Sequence, residues 1–279
     1  MTKAIRSFFI KRFKRWDRRM SLSKRQEFVL ITFILTIVMM LTQLVSSELR
    51  YPMVILLSIL TYLLCAVALR EDLKGAEWIT LLTLPTLFTA AVGVFYFLLP
   101  VRWLTRLPIA ALYAIGIYAL LLTENIYNVA ATRTIALLRA GHSVGFLLSL
   151  ATYFLLVQSI LAFRLYPIIN AGLVGIMTFM LTLQVLWAME LERTIGKSIR
   201  NLTVIITLVL VEVAWVFSLW PVRTTLQAVL LTTCFYGLAG MGQQYLADRL
   251  YKRTVWEFFG VVAIVFVILI LATNWYGAV

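Results

Sequence analysis

Long apolar stretches alternate along this chain with short breaks that carry most of its charge. Nine such stretches run at about residues 28–46, 51–69, 78–99, 107–127, 143–163, 167–189, 200–220, 224–244 and 255–273. Each is close to the roughly 20 residues that a helix needs to cross about 30 Å of hydrocarbon. Lipid offers the backbone no hydrogen-bond partner, so a crossing segment must be helical. The pattern predicts an all-α polytopic integral membrane bundle of about nine transmembrane helices. It divides the chain into a basic amphipathic interfacial helix over 1–27, a transmembrane domain over 28–273 and a short tail over 274–279.

Composition agrees with that reading. Of the 279 residues, 62% are hydrophobic and 13% charged, against roughly 45–50% and 25% in a soluble globular protein. So few polar residues cannot cover a water-facing surface, which excludes an ordinary soluble enzyme. Charge position adds an orientation. With nine spans, the N-terminus and alternate loops hold 20 Lys and Arg, whereas the opposite loops hold five: Arg50, Arg102, Arg106, Arg164 and Arg223. Basic residues concentrate on the cytoplasmic side, so the N-terminus is expected inside and the C-terminus outside.

Ten of those 20 basic residues lie in the first 27 positions. In KAIRSFFIKRFKRWDRRM (3–20), helical spacing puts Ile5, Phe9, Phe13, Trp16 and Met20 on one face and Lys3, Lys11, Lys14, Arg15 and Arg18 on the other. A basic face opposite an aromatic one fits a helix lying in the membrane interface against anionic lipid. The bilayer is therefore the expected partner, with a membrane protein or a second copy of the chain as further partners, and no nucleic acid is expected. Ser23 and Gln26 have capping-box spacing and predict a helix start there. The charged region is too long for a cleaved signal peptide, and alternating charge favours a plasma membrane.

Polar residues at membrane depth are costly and are the natural functional candidates. Glu212, in TLVLVEVAWVFSLW, stands alone in the seventh stretch. In LLTENIYNVAATRT, Glu124 and Asn128 are four apart and share a helix face with Thr132, and Asn125 lies beside them. His142, Glu190, Gln243, Gln244 and Asp248 fall at the same end of their spans, where a polar pocket would open inward. Gln158, Asn170 and Gln227 read as amides bonding between helices. Pro85, inside the third stretch, should kink its helix, as a hinge or as a packing feature.

Other chemistry is missing from the sequence. Cys65 and Cys234 sit in apolar stretches and read as small hydrophobes, and a single histidine offers no metal pair, so no metal or cofactor is expected. The sequence has no phosphate-cradling GxxxxGK[ST] or GxGxxG loop. The blocks EDLKGAEWITLLTLPTLFTAAVGVFYFLLP (71–100) and LLTENIYNVAATRTIALLRAGHSVGFLL (121–148) resemble stretches of uncharacterised polytopic membrane proteins of bacteria. The resemblance implies a bacterial plasma membrane and assigns no catalytic residues.

Three functional classes remain. A permease-like or channel-like protein for a small solute or lipid would bring Glu212 and the Glu124/Asn128 cluster together on a water-accessible cavity. A membrane scaffold or assembly partner would hydrogen-bond Glu212 against another helix. An enzyme at the cytoplasmic face would need Glu124 and His142 within reach of one substrate.

Overall fold

The computed structural model describes residues 23–42, 49–70, 75, 77–98, 103–131, 136–192, 194–220 and 222–273. The expected amphipathic segment before Ser23, the end of the first apolar stretch at 43–46, Thr132 and the tail at 274–279 lie outside them. Among the described residues every regular element is an α-helix: α1 Lys24–Leu41, α2 Arg50–Leu69, α3 Glu77–Leu98, α4 Trp103–Ala130, α5 Leu138–Ala162, α6 Pro167–Glu190, α7 Lys197–Ser218, α8 Thr224–Leu246 and α9 Lys252–Ala272.

Eight of these, α2 to α9, are long and apolar enough to cross a membrane. The ninth, α1, begins with Lys24, Arg25 and Glu27 in its first turn. That leaves Phe28–Leu41, which at 1.5 Å per residue spans about 21 Å, short of the roughly 30 Å of hydrocarbon. Its start is the expected one: the Ser23 hydroxyl accepts from the Gln26 amide at 3.4 Å, and the Gln26 side chain accepts from the Ser23 amide at 2.9 Å. The fourth element is longer than its apolar run suggests. At 28 residues α4 reaches about 42 Å, carrying Glu124 and Asn128 in its last two turns.

Two helices form the centre. α3 packs against α2, α4, α5 and α6, and α5 packs against α3, α4, α6 and α8. Pro85 lies inside α3, which runs unbroken through it. The Thr89 hydroxyl one turn on donates to the Pro85 carbonyl at 3.0 Å and lies 3.2 Å from the Thr61 hydroxyl and 3.1 Å from that of Tyr113. These contacts tie α2, α3 and α4 together, so Pro85 sits at a packing node. α7 packs on α6 and α8, and α9 packs on α8. Burial falls accordingly, from 56% of the most apolar stretch of α3 to 6% of that of α9. In lipid this gradient costs little, because hydrocarbon is as apolar as the protein interior.

Candidate functional site

The last two turns of α4 place Glu124, Tyr127 and Asn128 on its inward face, at 0%, 2% and 2% exposure. Three neighbouring helices meet them. From α6, the Gln184 amide donates to Glu124 Oε1 at 3.4 Å, and from α5 the Ser149 hydroxyl donates to Gln184 Oε1 at 3.4 Å. From α2, the final carbonyl, Leu69, accepts from Asn128 Nδ2 at 3.1 Å. Cys65 and Tyr127 are the ionisable neighbours of Glu124. Glu124 and Gln184 each lie six residues before the end of their helix, which puts the site about 9 Å inside the bundle.

Small residues make this approach feasible. Tyr127 donates to the Gly141 carbonyl at 2.9 Å, and a Cβ on Gly145 would overlap the Tyr127 hydroxyl. Gly141 and Gly145, one turn apart on α5, therefore open the seam that Tyr127 fills. His142 lies on the same seam, its ring 5.7 Å from that of Tyr127. Its Nε2 is 2.8 Å from the Ala188 carbonyl. A carbonyl can only accept, so Nε2 carries the proton and the ring clips α5 to α6.

Two buried acceptors in this site have no partner: Glu124 Oε2 and Asn128 Oδ1. They lie one turn apart on the same helix face. An enclosed polar atom without a hydrogen bond costs about 1–3 kcal/mol, so two together mark the place where a donor is missing. Asn125 is half-buried, and its side chain makes no hydrogen bond among the described residues.

The structure does not bring Glu212 to this site. The inward face of α7 consists of Ile199, Thr203, Ile206, Leu210, Ala214 and Phe217. Val211 presses against α6, where a Cβ on Gly175 would come within 2.6 Å of it. Glu212, one position on, is exposed on the outer face and has no hydrogen bond or ion pair among the described residues. Glu124 and Glu212 thus sit in separate parts of the bundle. Glu190 is half-buried at the end of α6, its carboxylate near Gly196, where an added Cβ would lie 3.2 Å from Oε2, and Gln243 reaches from α8 to the Val185 carbonyl at 3.4 Å.

A family model described as "Protein of unknown function (DUF5656)" matches residues 53–272, which run from α2 to the last residue of α9. The chain belongs to the DUF5656 family. The match contains every member of the site and Glu212, and leaves α1 outside. No curated protein and no solved structure matches this DUF5656 chain.

The sequence reading named Glu124, Asn128 and His142 but missed Gln184 and Ser149, which supply the donors of the DUF5656 chain's buried site. Gln184 had the same signal as Glu212, a polar residue within an apolar stretch, in LTLQVLWAME. Ser149 had none, because single serines are ordinary in membrane helices. Glu77 was also overlooked: it opens α3 at 2% exposure, where a helix N-terminus favours an acid.

Proposed function

We propose that this DUF5656 chain is a multi-pass protein of a bacterial plasma membrane, permease-like in using one intramembrane carboxyl, Glu124, to take up and release a proton. The observation that carries the reading is the pair of enclosed, unpartnered acceptors, Glu124 Oε2 and Asn128 Oδ1. An ionised Glu124 would leave most of its lone pairs unsatisfied away from water, and no cation pairs with it among the described residues. A single proton on Oε2 supplies the missing donor and turns the hydroxyl toward the Asn128 oxygen. Gln184 holds Oε1 in either state, and Ser149 holds Gln184.

The 20 to 5 division of Lys and Arg supports a cytoplasmic N-terminus. With it, and with the first apolar stretch as a crossing, the site lies near the cytoplasmic ends of α2, α4 and α6. The basic segment before Ser23 anchors that side to anionic lipid. Loss of the proton from Glu124 would open the α4–α5–α6 seam, because the ionised form needs water.

The test is proton flux in liposomes carrying the purified full chain under an imposed pH gradient. Wild type is expected to dissipate the gradient, and Glu124→Gln, which keeps the shape and the Oε1 acceptor, to fall to the rate of empty liposomes. Equal flux in the two removes Glu124 from the mechanism.

A further inference from the structure

The outer face of α7 poses a different problem from the buried site. Its exposed residues include Asn201, Ile205, Leu208, Glu212, Trp215 and Leu219, spaced four, three, four, three and four apart. The apolar members are 54% to 70% exposed. This spacing is the a/d seam by which one helix packs along another. Glu212 occupies one layer of the seam with apolar layers above and below.

A carboxyl at that position is poorly placed for contact with lipid alone. It lies six residues, about 9 Å, from the Ser218 end of α7 and fifteen residues, about 22 Å, from the Lys197 end. A helical side chain leans toward the N-terminus of its helix, so Glu212 points away from the nearer end and toward Leu208. Reaching headgroup water from there is difficult, and burying a charge in hydrocarbon costs several kcal/mol. Something must supply a hydrogen-bonding group at this depth.

We infer that α7 of one copy packs along α7 of a second copy, with the two Glu212 carboxyls facing each other across a two-fold axis normal to the membrane. In a parallel pair the same layer of each helix meets its own counterpart, so Glu212 arrives at the depth of Glu212 without any other protein. A carboxyl is self-complementary, since its protonated form both donates and accepts. A polar layer set between the apolar layers of Leu208 and Trp215 also fixes the register, as a single buried polar residue does in a coiled coil. The buried Glu124 site takes no part in this pairing.

Cysteine cross-linking of the full chain in native membranes tests the pairing. Leu208→Cys and Trp215→Cys, oxidised separately, are expected to give a disulfide-linked homodimer. Ile264→Cys, on the equally exposed outer face of α9, is the control and is expected to give none. Adding Glu212→Leu should lower the dimer yield roughly three- to tenfold, the equilibrium worth of one interhelical hydrogen bond. Glu212→Gln, which still donates and accepts, should keep it. The inference is overturned by seam yields no higher than the α9 control, by a linked product containing a different chain, or by an unchanged yield with Glu212→Leu.

Discussion

Glu124 and Glu212 look alike in sequence, each a lone carboxyl in a long apolar run, and the fold puts them in opposite surroundings. Glu124 is closed off between four helices, with Gln184 on one oxygen and nothing on the other. Glu212 faces outward between Leu208 and Trp215, with nothing on either. The same group can therefore hold a proton inside one chain or join two chains. What separates the roles is the helix face, set by the neighbours of α4 and α7.

Removing each carboxyl should expose this difference most sharply. Glu124→Ala leaves a void and strands the Gln184 amide, and should cost about 2–4 kcal/mol in unfolding stability. Glu212→Ala should change the stability of the dissociated single chain by less than about 0.5 kcal/mol, as for a surface position. Chemical denaturation in detergent, under conditions that hold the chain monomeric, measures both. Equal losses would erase the distinction.

The helices themselves were legible from the sequence, because the length of each apolar run is fixed by the bilayer. The capping box at Ser23 and the shared face of Glu124 and Asn128 were legible too, since both depend on local helical spacing. The direction that each helix turns was not. α5 is apolar on its inward face, at Leu156 and Val157, and on its outward face, at Val144 and Leu147. A helix apolar all round gives no sign of which side is buried. Gln184, the partner of Glu124, lies 60 positions ahead in α6, and Leu69, the partner of Asn128, lies 59 behind in α2, which no local pattern encodes. Only part of the first stretch can be compared: α1 covers 28–41 of it after a charged first turn, and 43–46 lie outside the described residues.

The glycines that admit each region's neighbours offer a second, smaller comparison. Gly145→Ala drives a methyl into the Tyr127 hydroxyl and should lift Tyr127 off the Gly141 carbonyl, costing about 1–3 kcal/mol. Gly175→Ala meets the stiff Val211 side chain and should loosen α7 at the low end of the same range, about 1 kcal/mol. Gly172→Ala, with nothing within 4 Å of the new methyl, should lose no stability and gain up to about 1 kcal/mol from helix propensity. Thermal unfolding of the three variants checks the order. A Gly172→Ala variant no more stable than Gly145→Ala would show that packing against the new methyl does not govern these sites.

A modest effect is expected at the edge of the buried site. Asn128→Leu gives up the 3.1 Å bond to the Leu69 carbonyl and should cost about 0.6 kcal/mol, the average for hydrogen bonds between membrane helices. It should also take away the acceptor for the Glu124 hydroxyl, so proton flux should fall further than stability does. A variant with unchanged flux would leave Asn128 as a tie between α4 and α2 alone.

The central claim is that Glu124 stands protonated in its enclosure, and infrared spectroscopy of the full chain in lipid at neutral pH tests it most directly. A difference spectrum between wild type and Glu124→Gln should contain the carbonyl stretch of one protonated carboxylic acid. A difference spectrum containing only carboxylate bands would mean that Glu124 is ionised, and would contradict the account.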